Sequence, residues 1–316
     1  MAPLNAAGVA LALALSAGAS LRFSSVNQES TPGSKRTPAA LLVNTPEGPA
    51  LRDATGAVVV VKNYQRIVGG SLVADRLLLE LAEPARVLAS LDSSRATAWG
   101  FRITAPHTLS EPTNAERLLA LKPDLVILSD LGEASKVQRL RELGLAVFVL
   151  GPMRGRATLL PQIQAISMLL GAPARGEALS SAFRARSERV AVSVPKGKRL
   201  RALYVGAYGD KMFGGTRGTS YHDVLEMAGL VDAAESKFEG WPQYSPEQVL
   251  SLDPDVLVTT TTSAKNLCEQ TGLQALRACR AENGVVALNE GLMSDPGLAM
   301  LDAAEAVFEA VYGTRH

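Results

Sequence analysis

The sequence predicts an α/β protein of two similar lobes, each built on a parallel sheet, with a long helix between them. Three observations carry this. Residues 116–127 return as residues 247–258, offset by 131 positions without a gap, so that Glu116 matches Glu247, Leu121 matches Leu252, Pro123 matches Pro254 and Asp124 matches Asp255. Each copy reads as a short helix, a Pro-Asp turn and an apolar strand, because proline ends the helix and the branched aliphatic run fits a strand buried on both faces. Strand and helix patterns alternate up to residue 150 and again from residue 199, which predicts doubly wound parallel sheets. Between them, residues 156–198 contain no strand pattern.

The 316 residues suffice for two domains of ordinary size. With 32 basic and 31 acidic side chains, the chain has no long-range attraction for nucleic acid or an anionic membrane. Its three histidines, His107, His222 and His316, are scattered, and its two cysteines form no C-x-x-C pair, so a zinc cluster of the usual spacing is absent. Cys268 and Cys279 are near enough in sequence for a disulfide, and equally suit two buried thiols.

In chain order, residues 6–15 form an apolar run followed by small residues at Ala17 and Ala19, the pattern of a signal peptide over residues 1–20. No basic residue precedes this run, which is too short to span a bilayer, and no cysteine follows for lipid attachment. Residues 21–50, rich in Ser, Thr, Pro and Gly, read as a disordered linker. The first lobe then covers residues 51–155. Strands are expected near 57–61, 66–68 and 86–89, a helix over 72–81, a loop over 91–112, the first repeat unit, a helix near 133–143 and a strand over 146–150. Residues 156–198 hold two helices, about 157–170 and 174–193, the second bridging the lobes.

The second lobe, residues 199–316, opens with a strand over 200–205. Its following loop, 206–221, is rich in glycine and aromatics. A helix over 221–229, the second repeat unit, a helix near 272–280, a strand over 285–288 and a last helix over 297–312 complete it. Residues 209–216 have the glycine spacing of a phosphate loop, but Gly215 stands where the lysine belongs, which removes the charge that mechanism needs. Neither a G-x-S-x-G elbow nor a G-x-G-x-x-G fingerprint occurs. Nothing here points to a catalytic residue.

The order of motifs resembles that of periplasmic substrate-binding proteins of ABC importers, in the class serving iron-siderophores, haem and vitamin B12. Arg66 opening a strand, Asn114-x-Glu116 ahead of Pro123-Asp124, and the helix from Asp223 to Gly229 each match in position. Trp241-Pro-Gln-x-Ser-x-Glu247 is most similar to the vitamin B12-binding member. The resemblance spans about residues 57–312. It implies two Rossmann-like lobes joined by one long α-helix, a ligand cleft between the lobes and small opening motions only.

It further implies that Glu116 and Glu247 dock into arginine-lined sockets of a permease dimer, as carboxylates pair with guanidinium through two directed bonds. Read from the residues, both glutamates also suit the first turn of a helix capped by Asn114 or Ser245, and Thr113-x-x-Glu116 has capping-box spacing. The resemblance places ligand contact first at Trp241, whose alternative is a core position. Tyr208 and Phe213 follow as residues of the cleft loop, Tyr221 as a cleft residue or helix start, and Trp99 as the first-lobe ligand residue. Arg217 and Lys211 suit an anionic chelate or a solvated surface, and His222 suits a helix start.

The expected protein is a non-enzymatic, exported periplasmic monomer that has no cofactor of its own. It delivers a metal chelate, either a cobalamin-like corrinoid or a ferric siderophore, to an ABC importer. Haem, with Tyr208, Tyr221 or Tyr244 as axial oxygen, is an alternative of the same fold. A two-lobe metal chelatase and a sensor or scavenger without a transporter are alternatives of other classes.

Overall fold

The computed structural model describes residues 41–129, 133–197, 199–209, 211–269, 272–293 and 295–313; the expected signal peptide and residues 21–40 of the expected linker lie outside them. The described chain begins with an antiparallel sheet of β1 (Leu41–Thr45), β2 (Gly48–Arg52) and β3 (Val58–Val60). Residues 41–50 therefore do not belong to a disordered linker. The polar residues that suggested disorder form the turn, while Leu42 and Val43 pair across the strands with Leu51 and Ala50. Asp53 fastens this sheet to the first lobe: its Oδ2 accepts from the Val149 amide at 3.0 Å and pairs with Arg141 at 2.6 Å.

The first lobe holds β4 (Ile67–Gly70), β5 (Val87–Leu91), β6 (His107–Leu109), β7 (Leu125–Leu128) and β8 (Val147–Val149). Their order is β6-β5-β4-β7-β8, all parallel. β6 falls inside the stretch expected as a loop; only three residues long, it is too short to give a period-two signal.

In the second lobe lie β9 (Arg201–Tyr208), β10 (Lys211–Gly214), β11 (Val231–Asp232), β12 (Gln243–Tyr244), β13 (Val256–Thr260) and β14 (Val285–Leu288). β11, β9, β13 and β14 run parallel, whereas β10 turns back antiparallel to β9 and β12 antiparallel to β10. The expected glycine-rich loop is thus largely a hairpin. It reverses at Gly209, whose φ of +63° suits a residue without Cβ.

Each repeat unit supplies the strand next to one edge of its sheet. Helix Ala115–Leu121 leads into β7 between β4 and β8, and helix Pro246–Leu252 leads into β13 between β9 and β14. Helices Arg156–Leu169 and Pro173–Ser193 connect the lobes, the second spanning 21 residues with proline at its first turn. It is held to the C-terminal helix Ala299–Tyr312 by Arg186, which donates to the Glu305 carboxylate and pairs with Asp302 at 2.7 Å. One apolar cluster is continuous through both lobes, running from Leu51, Ile67 and Phe148 through Ile163 and Phe183 to Tyr204, Val258 and Val307. Cys268 and Cys279 are joined as a disulfide, with their Cα atoms 5.6 Å apart, which decides between the two sequence readings. Among the described residues, no helix is long and apolar enough to cross a membrane.

Candidate functional site

The site is built from the β9–β10 hairpin and the segment that continues β12. Register pairs Lys211 with Tyr208 and Phe213 with Gly206, and Phe213 in turn with Gln243. The bonds from the Gly214 amide to Pro242 and from the Thr216 amide to Gly240 carry the same register onward, so Trp241 stands opposite Gly215. Because side chains alternate across a pleated sheet, Tyr204, Tyr208, Lys211, Phe213 and Trp241 share one face. The opposite face carries Leu203, Val205, Met212 and Tyr244 into the lobe's own core.

Gly214 and Gly215 are required by this arrangement. A Cβ on Gly215 would lie 2.1 Å from the Tyr221 ring, and one on Gly214 would lie 2.2 Å from the Tyr244 ring. The two glycines therefore let one tyrosine lie flat against each side of the strand. On the aromatic face Tyr221 stacks on Tyr204, with ring centroids 3.9 Å apart and planes 9° from parallel. Phe213 meets Tyr208 edge-on at 6.0 Å. Aromatic pairs of these geometries add roughly 0.5–1.5 kcal/mol beyond the area they bury.

Two rings of this face remain open to solvent, Trp241 at 45% and Tyr208 at 58% exposure. The Arg154 guanidinium sits 5.8 Å from the centre of the Trp241 ring. Arg154 follows the last strand of the first lobe, so this cation–π contact closes across the boundary between lobes. Nearby, the Arg156 amide donates to Asp223 at 2.6 Å, and Met153 packs on the cluster that includes Tyr221. The Tyr204 hydroxyl is held well above its ordinary pKa by burial first, then by Tyr221, Tyr208 and Glu290. Burial likewise raises Tyr221, against a hydrogen bond from Tyr204. At neutral pH both stay phenols.

The structure brings Trp241, Tyr208, Phe213 and Tyr221 together, as the sequence reading grouped them, with Tyr208 and Phe213 on strands instead of a loop. Trp99 and Tyr244 lie apart from them. Trp99 is only 6% exposed, with the Arg76 guanidinium 5.4 Å from its ring centre, so it packs inside the first lobe instead of walling a cleft. Arg217 pairs with Glu239 at 3.3 Å. Tyr244 is buried on the other face, which removes it as an axial oxygen. His222 hydrogen-bonds Asp232 and is no mere helix-start residue.

Sequence reasoning missed Tyr204 and Arg154. Tyr204 was accessible through the two-residue spacing to Gly206 and Tyr208. Arg154 carried no local signal, because its partner lies 87 positions away.

Glu116 and Glu247 both lie exposed in the first turn of their helices. Asn114 caps the first helix by accepting from the Arg117 amide at 2.9 Å, so the expected Thr113–Glu116 box does not form. Ser245 and Gln248 form a complete capping box on the second. Hydrogen bonding with Ser245 lowers the Glu247 pKa, keeping that carboxylate charged.

Residues 108–306 match the periplasmic binding protein family, and the chain belongs to it. It is 26% identical over 210 residues to a cobalamin-binding protein of Halobacterium salinarum, an alignment that covers 64% of this chain and 57% of that protein. An ABC transporter substrate-binding lipoprotein of Bacillus subtilis is 21% identical over 206 residues, covering 63% of this chain and 65% of the relative. The chain thus spans little more than half to two thirds of these relatives. Among solved structures, the heme binding protein HmuT superposes with a TM-score of 0.68 at 25% identity, over 90% of this chain and 94% of HmuT.

Proposed function

With that membership as the premise, we propose that this chain is an exported, non-enzymatic and monomeric binding protein. It captures a metal chelate on the aromatic face of the second lobe and hands it to an ABC importer. One observation carries the reading: the half-exposed Trp241 ring, set beside Tyr221 across Gly215, with the Arg154 guanidinium of the other lobe 5.8 Å from its centre. A flat, largely apolar macrocycle gains most from such a wall, since aromatic side chains offer large area for little rotamer entropy. Arg154 would meet an anionic edge of the same ligand, and Lys211 on the same face adds a second charge.

A cobalamin-like corrinoid is the first choice, supported by the halobacterial relative's name. Haem is the second, supported by the HmuT likeness and by exposed Tyr208. A ferric siderophore shares the aromatic wall and relies more on Lys211 and Arg154. The disulfide supports an oxidising compartment such as the periplasm. Glu116 and Glu247, one exposed on each lobe, are proposed to contact a two-fold permease dimer.

Tryptophan quenching titrations of the purified chain with cyanocobalamin, haemin and a ferric hydroxamate test the assignment. Saturable quenching by one of them, lost in Trp241→Leu, is the expected result. No quenching by any of the three overturns the aromatic face as the ligand wall.

A further inference from the structure

On the β11 edge of the second lobe, His222, Glu226 and Glu235 bring one imidazole nitrogen and two carboxylate oxygens within 4.8 Å of one another. His222 and Glu226 lie one turn apart on helix Ser220–Met227, and Glu235 follows β11. We propose that these three side chains form a binding site for a divalent transition-metal ion of the zinc type, separate from the aromatic face and its cargo.

The arrangement of His222 supports this. Its Nδ1 lies 2.9 Å from Oδ2 of Asp232, a buried carboxylate that also accepts from the Thr216 hydroxyl at 2.6 Å and the Ala234 amide at 2.9 Å. Asp232 has only acceptor capacity left for His222, so Nδ1 carries the proton and Nε2 offers its lone pair outward. A carboxylate behind a ligating histidine fixes the tautomer and ring direction and raises the basicity of the other nitrogen. Nε2 faces Glu226 Oε1 at 3.7 Å. Donor atoms around a tetrahedral ion with bonds of about 2.0–2.1 Å stand roughly 3.3 Å apart, a small side-chain adjustment from this separation.

The glutamates are placed for the same purpose. Glu226 spends Oε2 on Arg156 at 3.2 Å, which leaves Oε1 turned to the histidine. Glu235 is only partly exposed, and among the described residues no cation, hydroxyl or amide pairs with its carboxylate. Two carboxylates held near each other repel unless a cation or a proton lies between them. One imidazole and two carboxylates suit a borderline ion with a position left for water, whereas calcium prefers six to eight oxygens. An imidazolium bridging the two glutamates is the competing arrangement, and it makes a different prediction.

The full chain, freed of metal with EDTA and of cargo by partial unfolding and refolding, is titrated with ZnCl2 by calorimetry and with CoCl2 by visible absorption. Expected are one ion per chain and a d–d band of four-coordinate cobalt. Glu235→Gln should weaken zinc binding at least tenfold and His222→Gln should abolish it, while both metal-free variants keep the thermal midpoint of the parent within a few degrees. Asp232→Asn, which removes the charge behind His222 and also alters the acceptor of Thr216 and Ala234, should cost about 10–100-fold. Absence of one-to-one zinc binding overturns the site, as does binding left unchanged by Glu235→Gln and His222→Gln, or calcium binding as tight as zinc. Midpoints that fall in His222→Gln without any zinc dependence assign the cluster to the imidazolium bridge.

Discussion

Asp124 and Arg66 hold each other reciprocally. The Asp124 carboxylate accepts from the backbone amides of Gln65 and Arg66 at 2.7 and 2.8 Å, while the Arg66 side chain donates to the carbonyls of Leu121 and Lys122. The second lobe repeats this with Asp255 and Arg201: Asp255 accepts from the Arg201 amide at 2.9 Å, and Arg201 donates to Leu252 at 2.9 Å. The repeated Pro-Asp turn is thus a clamp that registers the central strand of each sheet against its neighbour. Losing a charged acceptor costs about 1–3 kcal/mol. Asp124→Ala and Asp255→Ala should each lower the denaturant-unfolding free energy by about that amount, and the two losses should add, since the sites share no partners.

Each repeat helix ends on a left-handed residue, Lys122 at φ 49° and Asp253 at φ 40°. Asp253 recovers part of the strain through Arg277 at 2.9 Å, whereas the Lys122 side chain is exposed. Replacing a strained side chain by glycine removes the Cβ clash, which is worth roughly 1 kcal/mol. Lys122→Gly should therefore raise the thermal midpoint by one to a few degrees in calorimetry.

Gly215 separates Trp241 from Tyr221. Because a Cβ there would lie 2.1 Å from the Tyr221 ring, Gly215→Ala must displace that ring from Tyr204. Overpacking of this kind costs about 1–3 kcal/mol. The variant should lose ligand-induced tryptophan quenching at least tenfold more than Lys211→Ala, measured at equal fractions folded.

Charge reversal at Glu116 and Glu247 addresses delivery and leaves capture alone. Neither carboxylate bears on the aromatic face, so the double variant should bind ligand as the parent does and fail to support uptake in cells lacking the native binding protein. Unchanged uptake would remove the docking role and leave both residues as helix-start charges, worth about 0.3–1 kcal/mol each.

Burial pushes the Asp75 carboxyl up to about 7, against hydrogen bonds from the Ser94 hydroxyl and the Leu91 amide and the charge of Arg95. Burial also raises Asp295 to about 6, against the Gly297 amide and Arg76. A pKa raised by folding contributes stability that is complete below the unfolded value near 4 and is lost as pH rises through 6 to 7. The thermal midpoint should therefore fall by several degrees between pH 5 and pH 8. Asp75→Asn, which keeps an acceptor oxygen and no charge, should flatten that decline.

Much of the architecture is local and therefore readable. The 131-residue offset exposed the two lobes, Pro123 and Pro254 marked the helix ends, and the strandless interval 156–198 marked the bridge. Glu116 and Glu247 were placed in the first turn of their helices because Asn114 and Ser245 are cap residues, a matter of one turn of backbone. Strands without a clear pattern of their own escaped: β1, β2 and β6 take their order from partners elsewhere.

The site depended on partners that only the folded chain supplies. Composition marked Tyr208 and Phe213 as site candidates, but their shared face with Trp241 follows from a strand register that joins residues about thirty positions apart. Trp99 and Trp241 look alike in the sequence. Arg76 encloses one and Arg154 caps the other across the lobe boundary, and burial then leaves only Trp241 an open face. Periodicity and capping are properties of neighbouring residues, so the sequence alone determined the elements and the duplication. Exposure and cross-lobe contact depend on packing between distant segments, so tertiary structure alone decided which aromatic rings share one face.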